Sequence, residues 1–473
     1  MGKRAGVSSF LYCKAPITLE SLKATTNMAF CLLSFLFFNL LLTSSNSYAF
    51  NFISTGTVDQ ADALLKWKDT LNNQSQSVLH SWTLPHPNAT NSSLRSDPWC
   101  GWIGIACNQR GIITEIILPS MGLQGMVENF PFPSFSALTS LNLTNNSFLG
   151  TVPSNVANLS VINYLDLSMN QLSGLVPTEI FLLTTLKILF LDQNHFSGSI
   201  PYGMGRLKDL TILTMYSNNV SGFIPESLGK LRDLSVLYLY QNQLSGFIPK
   251  EIGNLTKLRS LSLENNHLIG SIPEEIGNLK SLTALYLPLN NLNGSIPSSL
   301  GKLRNLTILY LPQNQLSGII PLEIGNLTSL VDLQIPFNNL TGRIPSNFGN
   351  LQKLTSLNLL ENQLSGSLPR EIGNLTELVS LQSSNNQFSG SLPQGLCMSG
   401  SLEKITAHNN HFTGLIPKGF KNCTSLVRVR LENNQLVANL SEDFGFYENL
   451  IYIDLSNNQL HGELSSSQNL QAL

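Results

Sequence analysis

The segment Leu306–Leu330 reads LTILYLPQNQLSGIIPLEIGNLTSL, and most of the chain repeats it with small changes. The shared frame is LxxLxLxxNxLxGxIPxxIGNLxx, and its asparagine is Asn314 in this segment. One unit upstream, Ile113–Gly125, is one residue out of step and has Met121 in the asparagine position; we number it repeat 1. Repeats 2 to 15 follow with a period of 24 residues, and we name their asparagines the ladder asparagines: Asn146, Asn170, Asn194, Asn218, Asn242, Asn266, Asn290, Asn314, Asn338, Asn362, Asn386, Asn410, Asn434 and Asn458.

A period between 20 and 29 residues with an LxxLxLxxN core is typical of leucine-rich repeats. Side chains alternate across a strand, so the two leucines of LxL point inward and the residues between them point outward. Strands of successive repeats then stack in parallel, about 4.8 Å apart. The pattern predicts an α/β repeat solenoid, a superhelix with parallel strands lining the concave face, with about 15 repeats of period 24 over residues 113–464.

The repeated residues are explained by the scaffold alone. An asparagine amide both donates and accepts, so it can satisfy backbone groups where the chain leaves the strand. The glycine four residues later, such as Gly318, permits a turn with unusual dihedral angles, and Pro321 fixes φ outside the strand. Functional residues must therefore be sought among the positions that vary.

The N-terminus predicts a secretory signal peptide over residues 1–49. Basic residues precede an apolar run, Ala29–Leu42, and Ser47-Tyr48-Ala49 fits a cleavage site. The alternative is a signal anchor, but this run is shorter than the roughly 20 residues of a spanning helix. No second apolar stretch follows, so we expect no membrane span in the mature chain. We expect it to be extracellular, with glycosylation sequons at Asn73, Asn88, Asn219, Asn254, Asn326, Asn374 and Asn422.

Residues 50–112 break the period and predict an N-terminal cap. Asp59 is placed to cap a helix whose apolar face contains Leu64, Trp67 and Leu71. The motif WCGWIGIAC follows, and a disulfide between Cys100 and Cys107 is favoured over a zinc site because no other ligands stand nearby.

Two further cysteines lie late in the chain, and the repeat consensus is less well kept after them. Cys397 and Cys423 occupy the GNL positions of adjacent repeats, which favours a second disulfide over two buried thiols. Ala438 replaces the repeat glycine, Ser441 replaces the proline, and residues 465–473 read as a truncated repeat. Because an uncovered solenoid end exposes apolar surface, we expect a truncated product, a splice form or a partial gene model.

Composition and motif content argue against nucleic-acid binding and enzyme activity. Charged residues make up 12% of the chain and the formal net charge is −2, so nothing indicates nucleic-acid binding. The histidines scatter along the repeats without a nucleophile in a recognisable motif. We therefore expect no enzyme activity, no metal and no cofactor.

Variable outward positions carry an aromatic strip across repeats 4 to 9. Its members stand four or two residues before a ladder asparagine: Phe190, Tyr216, Tyr238, Tyr240, Tyr286 and Tyr310. Such residues are also chosen for strand propensity. An exposed aromatic run, however, favours binding of an extended peptide or a glycan.

Charge is graded along the same positions. Asp166, Asp192 and Glu264 precede the basic residues Lys404, Arg428 and Arg430. Arg428 and Arg430 flank Val429, so both guanidiniums project from one strand and could clamp a carboxylate. The alternative is an ion pair between Arg430 and Asp454 in the next repeat.

The frame LxGxIPxxIGNL and the WCGWIGIAC cap, over Thr57 to Leu464, resemble the plant-type leucine-rich repeats of receptor-like kinase ectodomains. The resemblance implies a superhelix that binds a secreted peptide along its inner surface and recruits a co-receptor ectodomain. It also implies that an Arg-x-Arg pair in a late repeat, here Arg428 and Arg430, holds the carboxylate of the peptide. The alternatives are a secreted inhibitor or recogniser of a microbial cell-wall-degrading enzyme, and a decoy fragment.

Overall fold

The computed structural model describes residues 55–84 and 97–463. The predicted signal peptide and the sequon at Asn88 lie outside the described residues. Cap helices α1 and α2 span Thr55–Asp69 and Asn73–Val78. Helix α1 begins upstream of Asp59, so the prediction that Asp59 caps it is wrong. Leu64, Trp67 and Leu71 are buried as predicted, and Trp67 packs edge-on against Phe130 with ring centroids 5.0 Å apart.

Sixteen strands of the described region form one long sheet, parallel except for its first pair. In this sheet, Leu237 and Leu239 are buried while Tyr238 between them is half-buried, as the alternation predicts. The strands are Ile105–Cys107, Ile113–Ile117, Ser140–Asn142, Tyr164–Asp166, Ile188–Phe190, Ile212–Thr214, Val236–Tyr238, Ser260–Ser262, Ala284–Tyr286, Ile308–Tyr310, Asp332–Gln334, Ser356–Asn358, Ser380–Gln382, Lys404–Thr406, Arg428–Arg430 and Tyr452–Asp454. The predicted repeat solenoid is confirmed.

A second layer of strands follows the ladder asparagines and was not predicted. It consists of an 8-stranded and a 7-stranded sheet. The first contains Gln124–Met126, Ser147–Thr151, Gln171–Leu175, His195–Ser199, Asn219–Phe223, Gln243–Gly246, His267–Gly270 and Asn291–Leu292. The other contains Ser317–Ile319, Asn339–Gly342, Gln363–Gly366, Gln387–Gly390, His411–Leu415, Gln435–Asn439 and Gln459–His461. The repeat glycine lies in most of these strands at positive φ, and a Cβ on Gly270 would come within 2.3 Å of Phe247.

Short 3-10 helices connect the strands of most repeats, where an α/β architecture would have α-helices. After Pro98–Gly101 in the cap they span Val127–Asn129, Phe132–Phe135, Ser154–Asn158, Thr178–Leu182, Tyr202–Arg206, Glu226–Lys230, Lys250–Asn254, Glu274–Asn278, Ser298–Lys302, Leu322–Asn326, Ser346–Asn350, Arg370–Asn374 and Lys418–Asn422. A short α-helix, α3, spans Leu440–Asp443. The tighter 3-10 form fits the few residues between proline and strand.

Each ladder asparagine from repeat 3 onward joins two repeats. In Asn266 the amide nitrogen donates to the carbonyl of Leu239 in the preceding repeat and to those of Leu263 and Glu264, each at 3.1 Å. Its side-chain oxygen accepts from the Leu244 N–H at 2.9 Å. The side chain therefore satisfies backbone groups, as predicted, and also ties each repeat to its predecessor.

A second, exposed amide ladder lies beside the first over the late repeats. Asn457, Asn433 and Asn409 each donate to the preceding asparagine, at 2.6, 2.7 and 2.6 Å, and Asn385 ends the row on Glu361 at 2.6 Å. These residues stand immediately before ladder asparagines and have φ between 53° and 58°. Asparagine tolerates that left-handed backbone, which explains its use at this turn.

Both predicted disulfides are present in the structure. Cys100 is bonded to Cys107 with the Cα atoms 5.5 Å apart, and Cys397 to Cys423 with the Cα atoms 5.6 Å apart. The first lies near Trp99 and Trp102 at the edge of the long sheet, and the second joins two adjacent late repeats.

Candidate functional site

The outward surface of the long sheet, which we name the strand face, brings together most of the predicted binding residues. It consists of the side chains six, four and two residues before each ladder asparagine. Parallel pairing aligns these positions in rows; Tyr286, for example, is in register with Tyr310, and Lys404 with Arg428. Residues 24 apart in sequence thus become direct neighbours.

The aromatic strip lies on this face as half-buried rings. Tyr216 stacks on Tyr240 with ring centroids 4.3 Å apart, and Tyr238 contacts Tyr240 edge-on at 6.0 Å. Tyr286 and Tyr310 form a separate edge-on pair at 5.3 Å. Repeat 7 separates these two clusters, so the strip is not one continuous run.

Phe190 pairs with a residue that the sequence analysis missed. Tyr164 contacts it edge-on with ring centroids 6.0 Å apart. Tyr164 stands six residues before Asn170, an outward position beyond the four- and two-residue offsets that define the predicted strip. The aromatic surface therefore begins at repeat 3.

Among the acidic residues of the strand face, Asp166 and Asp192 are buried and Glu264 is half-buried. Asp166 accepts hydrogen bonds from the Ser168 N–H at 3.0 Å and hydroxyl at 2.6 Å, and from the Tyr164 hydroxyl at 3.1 Å. Burial raises the pKa of Asp166 to about 6. Burial also raises the pKa of Asp192, which accepts a hydrogen bond from the Thr214 hydroxyl, and that of Glu264. These carboxylates cost less to bury when protonated.

The basic residues lie together on repeats 13 and 14. Lys404 and Arg428 are exposed, and the Arg428 guanidinium lies 4.9 Å from the ring centre of Tyr452. Arg430 forms its ion pair with Glu432 in its own repeat. The alternative of a pair between Arg430 and Asp454 is therefore wrong, because the buried Glu432 carboxylate is the nearer partner and Asp454 accepts from Ser456.

A buried polar cluster supports Arg430. The His408 Nδ1 atom lies 2.7 Å from the Ser384 hydroxyl and 3.8 Å from a Glu432 oxygen. Burial lowers the pKa of His408. The Nε atom of Arg430 and one Glu432 oxygen are buried without a hydrogen-bond partner. Arg430 is therefore held in place, while Glu432 offsets its charge.

The described sequons that were predicted as glycosylation sites stand away from the strand face, and all are exposed. Asn254, Asn326, Asn374 and Asn422 each end a 3-10 helix, and Asn219 begins a strand of the second layer. Asn73 begins helix α2. Glycans at these positions would leave the rows of the strand face open.

Family models match this chain along its length. A leucine-rich repeat N-terminal domain matches residues 58–108, a leucine-rich repeat region residues 235–367, and leucine-rich repeats residues 136–196. The solved ectodomain of the Arabidopsis receptor kinase HAESA, in complex with the IDA peptide hormone, is 32% identical with a TM-score of 0.70, covering 88% of this chain and 72% of that one. The chain belongs to the plant leucine-rich-repeat receptor ectodomain family.

Other members of the family show the same relationship. The structure of PEPR1 with AtPEP1 is 33% identical with a TM-score of 0.67, covering 85% of this chain and 62% of that one. MDIS1-interacting receptor like kinase 2 of Arabidopsis thaliana is 43% identical over 114 residues, which are 24% of this chain and 10% of that protein. A probable leucine-rich repeat receptor-like protein kinase of the same plant is 37% identical over 123 residues, 26% of this chain and 10% of the kinase. Within residues 55–84 and 97–463, no helix combines the length and apolarity that membrane crossing requires.

Proposed function

We propose that this chain is the extracellular ligand-recognition module of a cell-surface or secreted receptor-like protein, without enzyme activity. It binds a secreted peptide along the strand face, with the free carboxylate of the peptide at Arg428 and Arg430. The observation that carries this proposal is the order of side chains along the strand face. Aromatic clusters come first, and the basic residues of repeats 13 and 14 follow. The HAESA structure, which contains the IDA peptide hormone, supports this proposal.

The two arginines have different roles in this proposal. The ring of Tyr452 covers one side of the Arg428 guanidinium, and its exposed N–H edge can donate to a carboxylate. Arg430 is already paired with Glu432, so it acts as an oriented donor more than as a net charge. Lys404, in register with Arg428, adds the remaining positive charge.

A co-receptor ectodomain is a proposed second partner. HAESA has been solved with IDA and the co-receptor SERK1, and that chain is 34% identical to this one with a TM-score of 0.67. The inhibitor alternative predicts a microbial enzyme as partner and no need for the arginine pair.

Calorimetry with the purified chain tests the proposed function. The probes are peptides selected from a random 16-residue library with a free C-terminus. We expect Arg430→Ala, or amidation of the probe, to weaken binding well over tenfold, because a charge-assisted hydrogen bond is lost. Arg343→Ala, which removes an exposed arginine directly after the second-layer strand Asn339–Gly342, is the matched control. Absence of any binding peptide, or indifference to both changes, contradicts the proposal.

A further inference from the structure

The backbone N–H two residues before each ladder asparagine is accessible from the strand face. In four repeats, the side chain four residues before the ladder asparagine accepts from it. Asn142 bonds the Thr144 N–H at 2.9 Å, and Asp166 bonds the Ser168 N–H at 3.0 Å. Leu360 and Ser456 are capped in the same way, by Asn358 at 3.1 Å and by Asp454 at 3.0 Å. An oxygen on the strand face can therefore reach this N–H.

Three consecutive repeats lack this donor altogether. Repeats 8, 9 and 10 have Pro288, Pro312 and Pro336 at the position, and proline has no N–H. Together with the capped Leu360 of repeat 11, they leave a stretch of four repeats without a free donor. The same stretch contains the Tyr286–Tyr310 pair and the part-exposed ring of Phe337.

In repeat 4 the Asp192 N–H donates to the carboxylate of its own residue. The remaining six repeats have this N–H without an acceptor among the described residues. They form two rows on either side of the donor-free stretch: Tyr216, Tyr240 and Glu264, then Ser384, His408 and Glu432. All three residues of the second row are buried. Most backbone N–H groups in a folded protein have an acceptor, so two rows of N–H groups that lie on the strand face without one can donate to a molecule bound there.

We infer that the two rows are main-chain recognition sites for the ligand, an inference that rests on the proposed function. The N–H groups of repeats 5 to 7 and 12 to 14 donate to carbonyl oxygens of the bound peptide, and the second row also donates to its carboxylate beside Arg430. Between them, repeats 8 to 11 contact apolar side chains of the peptide and make no main-chain hydrogen bonds of this kind. The peptide is thus bound through its backbone at two ends.

The pattern also fixes the length of the ligand. The donors end at repeat 5 on one side, where repeats 2 to 4 are capped, and at repeat 14 on the other, where repeat 15 is capped. Nine steps of about 4.8 Å give roughly 43 Å. An extended peptide rises about 3.3 Å per residue, so about 13 residues span the two rows.

Asparagine substitutions test the inference, because an asparagine four residues before the ladder position supplies an internal cap as Asn142 and Asn358 do. Thr406→Asn caps the His408 N–H, and Ser262→Asn caps the Glu264 N–H. Each should weaken binding of the library-selected probe about fivefold, the loss of one hydrogen bond. Gln334→Asn is the matched control, because Pro336 has no N–H to cap, and it should bind as the parent does.

A second pair of variants compares the protein with and without one of these donors. Ser384→Pro deletes an N–H at a position where three other repeats contain proline, whereas Ser384→Ala retains the N–H. We expect weaker binding from the proline variant than from the alanine variant, with thermal unfolding midpoints measured for both. Unchanged binding by Thr406→Asn, Ser262→Asn and Ser384→Pro, while Arg430→Ala still weakens it, overturns the inference and leaves the proposed function standing. Failure of every peptide to bind overturns the proposed function itself.

Discussion

Single carboxylates on the strand face differ in their environment although their sequence contexts are alike. Asp166 and Asp454 both accept from the N–H and hydroxyl of a serine two residues later. Asp166 is buried, and burial raises its pKa to about 6. For the more exposed Asp454, burial acts in the same direction, but the hydrogen bonds from Ser456 and the charge of Arg430 prevail and lower its pKa. The two residues therefore affect stability in opposite directions.

Replacing Asp166 should stabilise the protein at neutral pH. Its pKa is raised on folding from the ordinary value of 3.8 to about 6, so its stabilising contribution is full below pH 3.8 and is lost as pH rises through 6. Asp166→Asn keeps an acceptor for the Ser168 N–H and should gain roughly 1–3 kcal/mol at pH 7, a gain that shrinks towards pH 4. Chemical unfolding at pH 4, 5, 6 and 7 measures it. Asp454→Asn is the control and should show no such gain; an Asp166→Asn difference independent of pH would contradict the prediction.

At the scale of the element, a repeat is stabilised mainly by what it shares with its neighbours. The 3-10 helices and strands are too short to be stable alone, and the ladder asparagine links the strand of one repeat to the second-layer strand of the one before. Nearest-neighbour contacts of this kind determine the stability of a solenoid. Loss of a buried side chain that hydrogen-bonds two repeats should therefore weaken their contact.

Loss of one ladder asparagine should destabilise the protein more than the small size of the asparagine side chain suggests. Asn266 is 4% exposed and makes four hydrogen bonds to backbone groups. Asn266→Ala would leave those buried groups unsatisfied, and we expect a loss of roughly 2–4 kcal/mol in the free energy of unfolding. Gln243→Ala, at an exposed second-layer position, should change it by less than about 0.5 kcal/mol. Similar losses in both variants would argue against the ladder as the dominant tie.

At the scale of the whole molecule, the solenoid sets the distance between the aromatic clusters and the basic end. Removal of residues 315–338 deletes one period of 24 and joins Asn314 to Asn339 in frame. The deletion takes out a repeat without a free donor and leaves both donor rows intact. Their separation shortens by about 4.8 Å.

The shortened protein should fold and yet bind poorly. We expect circular dichroism and the thermal midpoint to change little, because each repeat contacts only its neighbours. Binding of the library-selected probe should weaken at least tenfold, and probes shorter by one or two residues should regain part of the loss. Full binding of the original probe by the deletion variant would show that the spacing of the two ends is unimportant.

The sequence by itself determined the solenoid, because a period of 24 with inward leucines and a ladder asparagine satisfies both burial and backbone hydrogen bonding in only one way. It also predicted the cysteine pairs, the outward aromatic residues and the basic end. Only the tertiary structure decided that Arg430 pairs with Glu432 instead of Asp454, that Tyr164 joins Phe190, and that a second layer of strands exists. The physical reason is that residues 24 apart become neighbours only when repeats stack, and the choice among close partners then depends on side-chain geometry and burial. For the same reason, the sequence could not show which backbone N–H groups the stacked repeats leave free for a ligand.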